Sequence, residues 1–252
     1  MPDPALIALL AFFAIGTYFQ TVTGFGLGMI VMGAASGFDL APLPVVAAVV
    51  SLMALTNSAV ALPGKLHHID WPAARAVLIG VVPAIVAGVL LLDYLSAVAA
   101  TALKLLLGVV IAYSGVVFAL RPTQLPARSS NRSFFASGAL AGLFGGLFGM
   151  AGPPVIFHFY RQPMELAAVR SMLLLVFTFT SASRTVFVGI QGGLTAEVWW
   201  LTAFAFVLVT AAAFAGRRYP PPLPPTVMRR IAFTVLILIG LSLIASALFA
   251  LQ

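Results

Sequence analysis

Eight apolar runs, most of them near or above twenty residues, follow one another along a chain of 252 residues. That length is what an α-helix needs to cross the hydrocarbon core of a bilayer. The runs are roughly Ala5–Ala35, Leu43–Leu62, Trp71–Leu92, Leu95–Leu120, Phe134–Phe159, Leu166–Ile190, Val198–Ala215 and Val227–Ala250. They are continuous rather than alternating, which argues against a transmembrane barrel. With 62% hydrophobic and 8% charged residues, no water-soluble fold would have enough polar surface. The expected fold is therefore an all-α, polytopic helical membrane protein. Met1-Pro2-Asp3-Pro4 lacks the basic start of a signal peptide, so the first run is expected to be retained.

Two of the runs are interrupted by glycine. Thr23-Gly24-Phe25-Gly26-Leu27-Gly28-Met29 lies in the first, and Gly145-Gly146-Leu147-Phe148-Gly149-Met150-Ala151-Gly152-Pro153-Pro154 lies in the fifth. Glycine loosens a helix and lets other groups approach its backbone. The Pro-Pro pair removes two N–H donors and breaks the ladder. Polar backbone freed inside a membrane is tolerated only against protein or a water-filled cavity. Paired interruptions in corresponding halves point to a transporter's binding site. Close helix packing through small residues is the competing explanation.

The halves repeat at a nearly constant offset. Phe25-Gly26 falls on Phe148-Gly149 (123), Thr56 on Thr180 (124), and Lys104 and Gly115 on Arg229 and Gly240 (125). An acid also precedes a tryptophan twice, at Asp70-Trp71 and at Glu197-Val198-Trp199. This reads as an internal duplication: residues 1–120, a cytoplasmic linker over 121–133, and residues 134–252. Connector charges reverse between the halves. In the first, the connector with Lys65 and Arg75 is basic, and those near Asp39 and Asp93 are acidic. In the second, the connectors with Arg161 and Arg170, and with Arg217, Arg218, Arg229 and Arg230, are basic, while that near Glu197 is acidic. Basic connectors stay in the cytoplasm, so the N-terminus is expected outside and the halves inverted. Four crossings per half would make the repeats parallel. Inversion requires each glycine-broken segment to enter and return to the same side, although Ala5–Thr23 alone is long enough to span.

Charge also narrows the function. The net charge is +7, but the basic residues lie mostly between apolar runs and form no face with interleaved aromatics, so nucleic acid is not an expected partner. The absence of cysteine excludes disulfides, thiolate metal sites and cysteine catalysis. No HExxH, GxSxG or Walker motif is present, and three histidines without clustered carboxylates make a poor metal site. We expect no enzyme activity, no metal and no cofactor. Acids are scarce and lie near segment ends, which favours an anionic cargo over a cation.

Groups suited to an oxyanion are the side chains of Gln20, Thr23, Asn57 and Ser181, backbone N–H groups around Gly24, Gly26, Gly28, Gly149 and Gly152, and the guanidinium of Arg170. For serine and threonine, bonding to their own helix is the commoner fate. Arg184 and Lys104 also lie inside apolar runs. For Lys104, reaching back to an interface is as good an account. His158 and Glu165 are the proton-coupling candidates. A helix resuming after Gly28 would offer more N–H donors than one resuming at Pro153-Pro154.

At these residues the chain resembles the sulfite exporter TauE/SafE family of membrane permeases. The resemblance is carried by Gly24-Phe25-Gly26-Leu27-Gly28, by His68-Ile69-Asp70-Trp71 and by Gly149-Met150-Ala151-Gly152-Pro153-Pro154. The sequence departs from many members at Met29-Ile30-Val31-Met32, where they place a proline. The resemblance implies a multi-pass protein of the bacterial inner membrane that moves a small sulfur-containing or organic anion, such as sulfite or a sulfonate. It also implies that the glycine motifs and their polar neighbours line the pathway. The expected function is export by alternating access. The alternatives are an anion uniporter or channel, and a non-transporting scaffold subunit. Expected partners are a small anion, membrane lipid and a second copy in a homodimer.

Overall fold

A computed structural model of the chain describes residues 3–23, 26–61, 69–119, 123–219 and 225–250. Among these it is all-helical. The first half forms α1 (Pro4–Thr23), α2 (Leu27–Gly37), α3 (Leu43–Ala61), α4 (Trp71–Val98) and α5 (Ala100–Ala119). The second forms α6 (Asn131–Phe148), α7 (Gly152–Tyr160), α8 (Leu166–Ile190), α9 (Ala196–Arg218) and α10 (Pro225–Phe249). The eight apolar runs thus become ten helices, because the two glycine-bearing runs each split in two. Five described helices, α1, α4, α5, α8 and α9, are long and apolar enough to cross a membrane.

The halves interleave in two compact units. One contains residues 1–50, 93–120 and 194–252, and the other residues 51–92 and 121–193. In the first unit, α5 and α10 meet through glycines. A Cβ at Gly108 would lie 2.9 Å from the Gly240 carbonyl, and one at Gly115 would lie 2.7 Å from the Ile237 side chain. Position 108 meets 240 and 244 while 115 meets 233 and 237, so these helices run antiparallel. At the end of α9 the Tyr18 hydroxyl donates to the Tyr219 carbonyl at 2.9 Å, satisfying one of that helix's terminal carbonyls.

In the second unit α4 and α6 are in backbone contact. A Cβ at Gly80 would lie 2.4 Å from the Phe135 carbonyl, and one at Gly88 would lie 2.5 Å from the Leu143 carbonyl. Both positions advance together, so this pair is parallel. Small residues permit such approach where lipid gives no hydrophobic reason for helices to associate. The entrance to α4 is fixed by Asp70. Its carboxylate accepts from the Ala73 amide at 3.1 Å and from Arg128 Nε at 2.9 Å, which ties the inter-half connector to this helix. Burial pushes the Asp70 carboxyl up, but the Arg128 hydrogen bond, the Ala73 amide and the Arg128 charge outweigh it and hold the group below its usual range.

Candidate functional site

Both glycine-bearing segments reverse the chain. In the first, α1 ends at Thr23 and α2 begins at Leu27. A Cβ on Gly16 would lie 3.2 Å from Leu27 Cδ1 and 3.4 Å from its Cα, so α2 comes back alongside α1. Further on, Phe12 and Phe38 stack with ring centroids 5.9 Å apart. The turn depends on Gly26, which has φ 117°, a conformation open to glycine at little cost. α2 resumes at Leu27, two residues earlier than the sequence reading placed it. Its first amide is already engaged, since Leu27 N–H donates to Gln20 Oε1 at 3.1 Å. Gln20 therefore caps the returning helix. Gly28 is half-buried in the first turn of α2. Gly24 lies outside the described residues, as do the side chains of Thr23 and Asn57.

The second segment closes on itself more completely. α6 ends on Gly149 at φ 67°, with the Gly149 amide bonded to the Gly145 carbonyl at 2.9 Å and the Met150 amide to that of Phe144 at 3.3 Å. α7 then opens with Gly152-Pro153-Pro154, where proline needs no N–H partner. It returns along α6 until His158 meets Phe134 edge-on at 4.7 Å. The entry and exit of the hairpin are joined. Ser129 N–H donates to Gln162 Oε1 at 2.9 Å, Gln162 Nε2 donates to Ser129 Oγ at 3.0 Å, and the Leu125 amide reaches the Arg161 carbonyl at 2.7 Å. The chain leaves this element where it entered.

α8 supplies the charge at the second break. Arg184 is only 1% exposed. Its Nε donates to the Gly146 carbonyl at 3.1 Å, and Nη1 donates to Ser51 Oγ at 3.4 Å. Gly146 lies in the last turn of α6, where carbonyls lose their helical partners and the dipole is negative. A buried guanidinium costs several kcal/mol unless it is hydrogen-bonded, and here it meets a helix end that needs a donor. The glycines make the approach feasible. A Cβ on Gly145 would lie 2.4 Å from Thr180 Cγ2 on α8, and one on Gly146 would lie 2.4 Å from the Ile85 carbonyl on α4. The packing and break-forming explanations of this motif are thus divided among its residues: Gly145 and Gly146 pack, while Gly149 turns.

The remaining candidates take distinct positions. Ser181 is buried on α8, and Thr180 spends its hydroxyl proton on the Val176 carbonyl at 2.7 Å. Arg170 is exposed near the start of α8, and Glu165 is exposed at its N-cap. His158 has a buried Nε2 with no hydrogen-bond partner among the described residues. Gly152 is half-buried at the start of α7. Lys104 lines a cavity of about 380 Å³ in the first unit, together with Asp39, Ser96 and Thr101. The sequence reading chose Arg170 for the site and left Arg184 outside it, whereas Arg184 is the arginine buried at the break. The available signal was its place deep inside an apolar run with two serines beside it, Ser181 and Ser183.

The sequence profile of the family described as "Sulfite exporter TauE/SafE" matches residues 8–243. The chain belongs to the TauE/SafE sulfite exporter family. A TauE/SafE relative from Cupriavidus necator, named "Probable sulfite/organosulfonate exporter TauE", is 56% identical over 245 residues, covering 97% of this chain and 96% of the relative. No solved structure matches the chain. Membership of a transporter family, together with five helices able to span, makes this TauE/SafE protein a multi-pass protein of the bacterial inner membrane rather than an enzyme.

Proposed function

We propose that the protein exports a small sulfur-containing oxyanion, sulfite or an organosulfonate, by alternating access. One observation carries the choice of an anion. Arg184 is the only charged side chain buried among the described residues, and all six acids are exposed or half-exposed. The one buried formal charge among the described residues is thus a cation at a break in the helical ladder, the sign that suits an oxyanion. The Gly152 amide and Ser181 supply donors in that unit, and Gly149 makes the turn between them and α6. Gly26, Gly28 and Gln20 form the corresponding element of the other unit, where Gln20 holds the α2 N-terminus. Arg184 positions the break rather than touching the cargo. His158 is the proton-coupling group, with Glu165 the exposed alternative. An outward-positive membrane potential expels an anion with about 2.3 kcal/mol per charge per ~100 mV.

The inverted-repeat reading rests on direction. If α6 and α7 crossed together as one span, α10 would run parallel to α5, given one crossing each for α8 and α9. Their antiparallel packing supports a hairpin that returns to its starting side. The second half then has three crossings, the odd number that inversion requires, and we propose the same count for the first. A homodimer remains the proposed assembly, checked by the mass of the solubilised particle.

Proteoliposomes loaded with sulfite or a short organosulfonate test the function. Efflux that speeds up when the outside is made positive, and that is lost in Ser181→Ala, is the expected result. Equal efflux from loaded liposomes without protein would refute it. Flux that never exceeds the electrochemical gradient, with or without a pH difference, would replace the transporter by a uniporter.

A further inference from the structure

We propose that the groove between the entry turns of α4 and α6 binds the headgroup of an anionic phospholipid. The groove is open, with a volume of about 510 Å³, and is lined by Arg75 and Ile79 from α4 and by Arg132 and Phe135 from α6. The helices are parallel, so both entry turns lie at one end of the unit. The contact of Gly80 with the Phe135 carbonyl brings the backbones together, and the flanking side chains form the walls.

The charge in this groove is uneven. Arg128, nearby, is already committed to Asp70 at 2.9 Å and to Asn131 Oδ1 at 3.2 Å. Arg75 and Arg132 are exposed and have no acidic partner among the described residues. Two uncompensated guanidiniums are suited to the oxygens of a phosphodiester, which each can grip through two N–H groups. One helical turn deeper the lining becomes apolar, with Ile79 65% and Phe135 44% exposed. A small free anion gains nothing from that surface. A phospholipid lays its acyl chain along it while its phosphate meets the arginines. Basic pockets between membrane helices select anionic headgroups in this way.

The full-length protein in nanodiscs of phosphatidylcholine, with or without phosphatidylglycerol, tests the assignment, with retained lipid read by native mass spectrometry. Phosphatidylglycerol should be retained over phosphatidylcholine. Arg75→Gln and Arg132→Gln should each weaken retention about fivefold, and together about thirtyfold, from about 1 kcal/mol of surface attraction per arginine. The charge-preserving pair Arg75→Lys with Arg132→Lys should keep most of the binding and guards against a folding defect. Arg218→Gln, an exposed arginine at the end of α9, should change nothing. Inorganic phosphate should neither compete nor raise the unfolding temperature. Equal retention of both lipids, an equal loss in Arg218→Gln, or stabilisation reproduced by phosphate would each overturn the proposal.

Discussion

The two breaks have the same shape and different chemistry. Both turn on a glycine at positive φ, Gly26 and Gly149, and both send a short helix back along a longer one. At the first, the returning helix is held at its N-terminus by a neutral amide, Gln20. At the second, prolines remove N–H donors from the returning helix, and a buried cation, Arg184, serves the carbonyl end of the outgoing one. Two hairpins of the same shape can therefore differ in charge. Only the second break carries a buried formal charge among the described residues.

The sharpest way to break this comparison is to remove that charge. Arg184→Met removes the donor from the Gly146 carbonyl. It should cost about 2–3 kcal/mol, the scale of charge-assisted hydrogen bonds, and should abolish export, with Arg184→Lys recovering part of both. Chemical unfolding in detergent together with efflux checks this. The matched change at the other break, Gln20→Ala, should cost only ~1 kcal/mol, as for loss of a helix cap. Equal costs would remove the asymmetry.

Steric changes rank next. Gly146→Ala drives a methyl to 2.4 Å from a backbone carbonyl that cannot yield and should cost roughly 1–3 kcal/mol. Gly16→Ala meets the flexible end of Leu27 at 3.2 Å and should cost less, by the same unfolding measurement.

The smallest effect is at Asp70, which lies outside both hairpins. Its carboxyl is held below the usual value of 3.8, so its contribution is complete above that value and is lost as pH falls through the lowered one. The pair with Arg128 is partly exposed and screened, so the contribution is about 0.2–1 kcal/mol. Asp70→Asn should flatten the acid limb of the stability curve by that amount and leave transport intact.

The breaks were legible in the sequence because glycine and proline act locally. A positive φ and a missing N–H belong to the residue itself. Spacing pointed to a repeat, which stays a proposal, and connector charges pointed to a reversal at each break, where the chain does turn back. What could not be read was which arginine of α8 faces inward. Arg170 and Arg184 lie fourteen residues apart on one helix, which places them on nearly the same face, so periodicity could not separate them. Arg184 turns inward because Gly145 and Gly146, on a different helix, leave room for α8 and offer it a carbonyl. The partner of Gln20 was hidden for the same reason: a primary amide in lipid must bond to something, but the Leu27 amide comes within reach only once the chain has reversed.

That reversal is tested most directly by labelling. The chain has no cysteine of its own. Ala127→Cys and Pro163→Cys place single thiols at exposed positions on either side of the α6–α7 hairpin. A membrane-impermeant maleimide applied to sealed right-side-out and inside-out vesicles should label both positions from the same side, the cytoplasmic one. Labelling from opposite sides would mean that α6 and α7 cross the membrane as one span, and the account of the breaks as returning hairpins would be wrong.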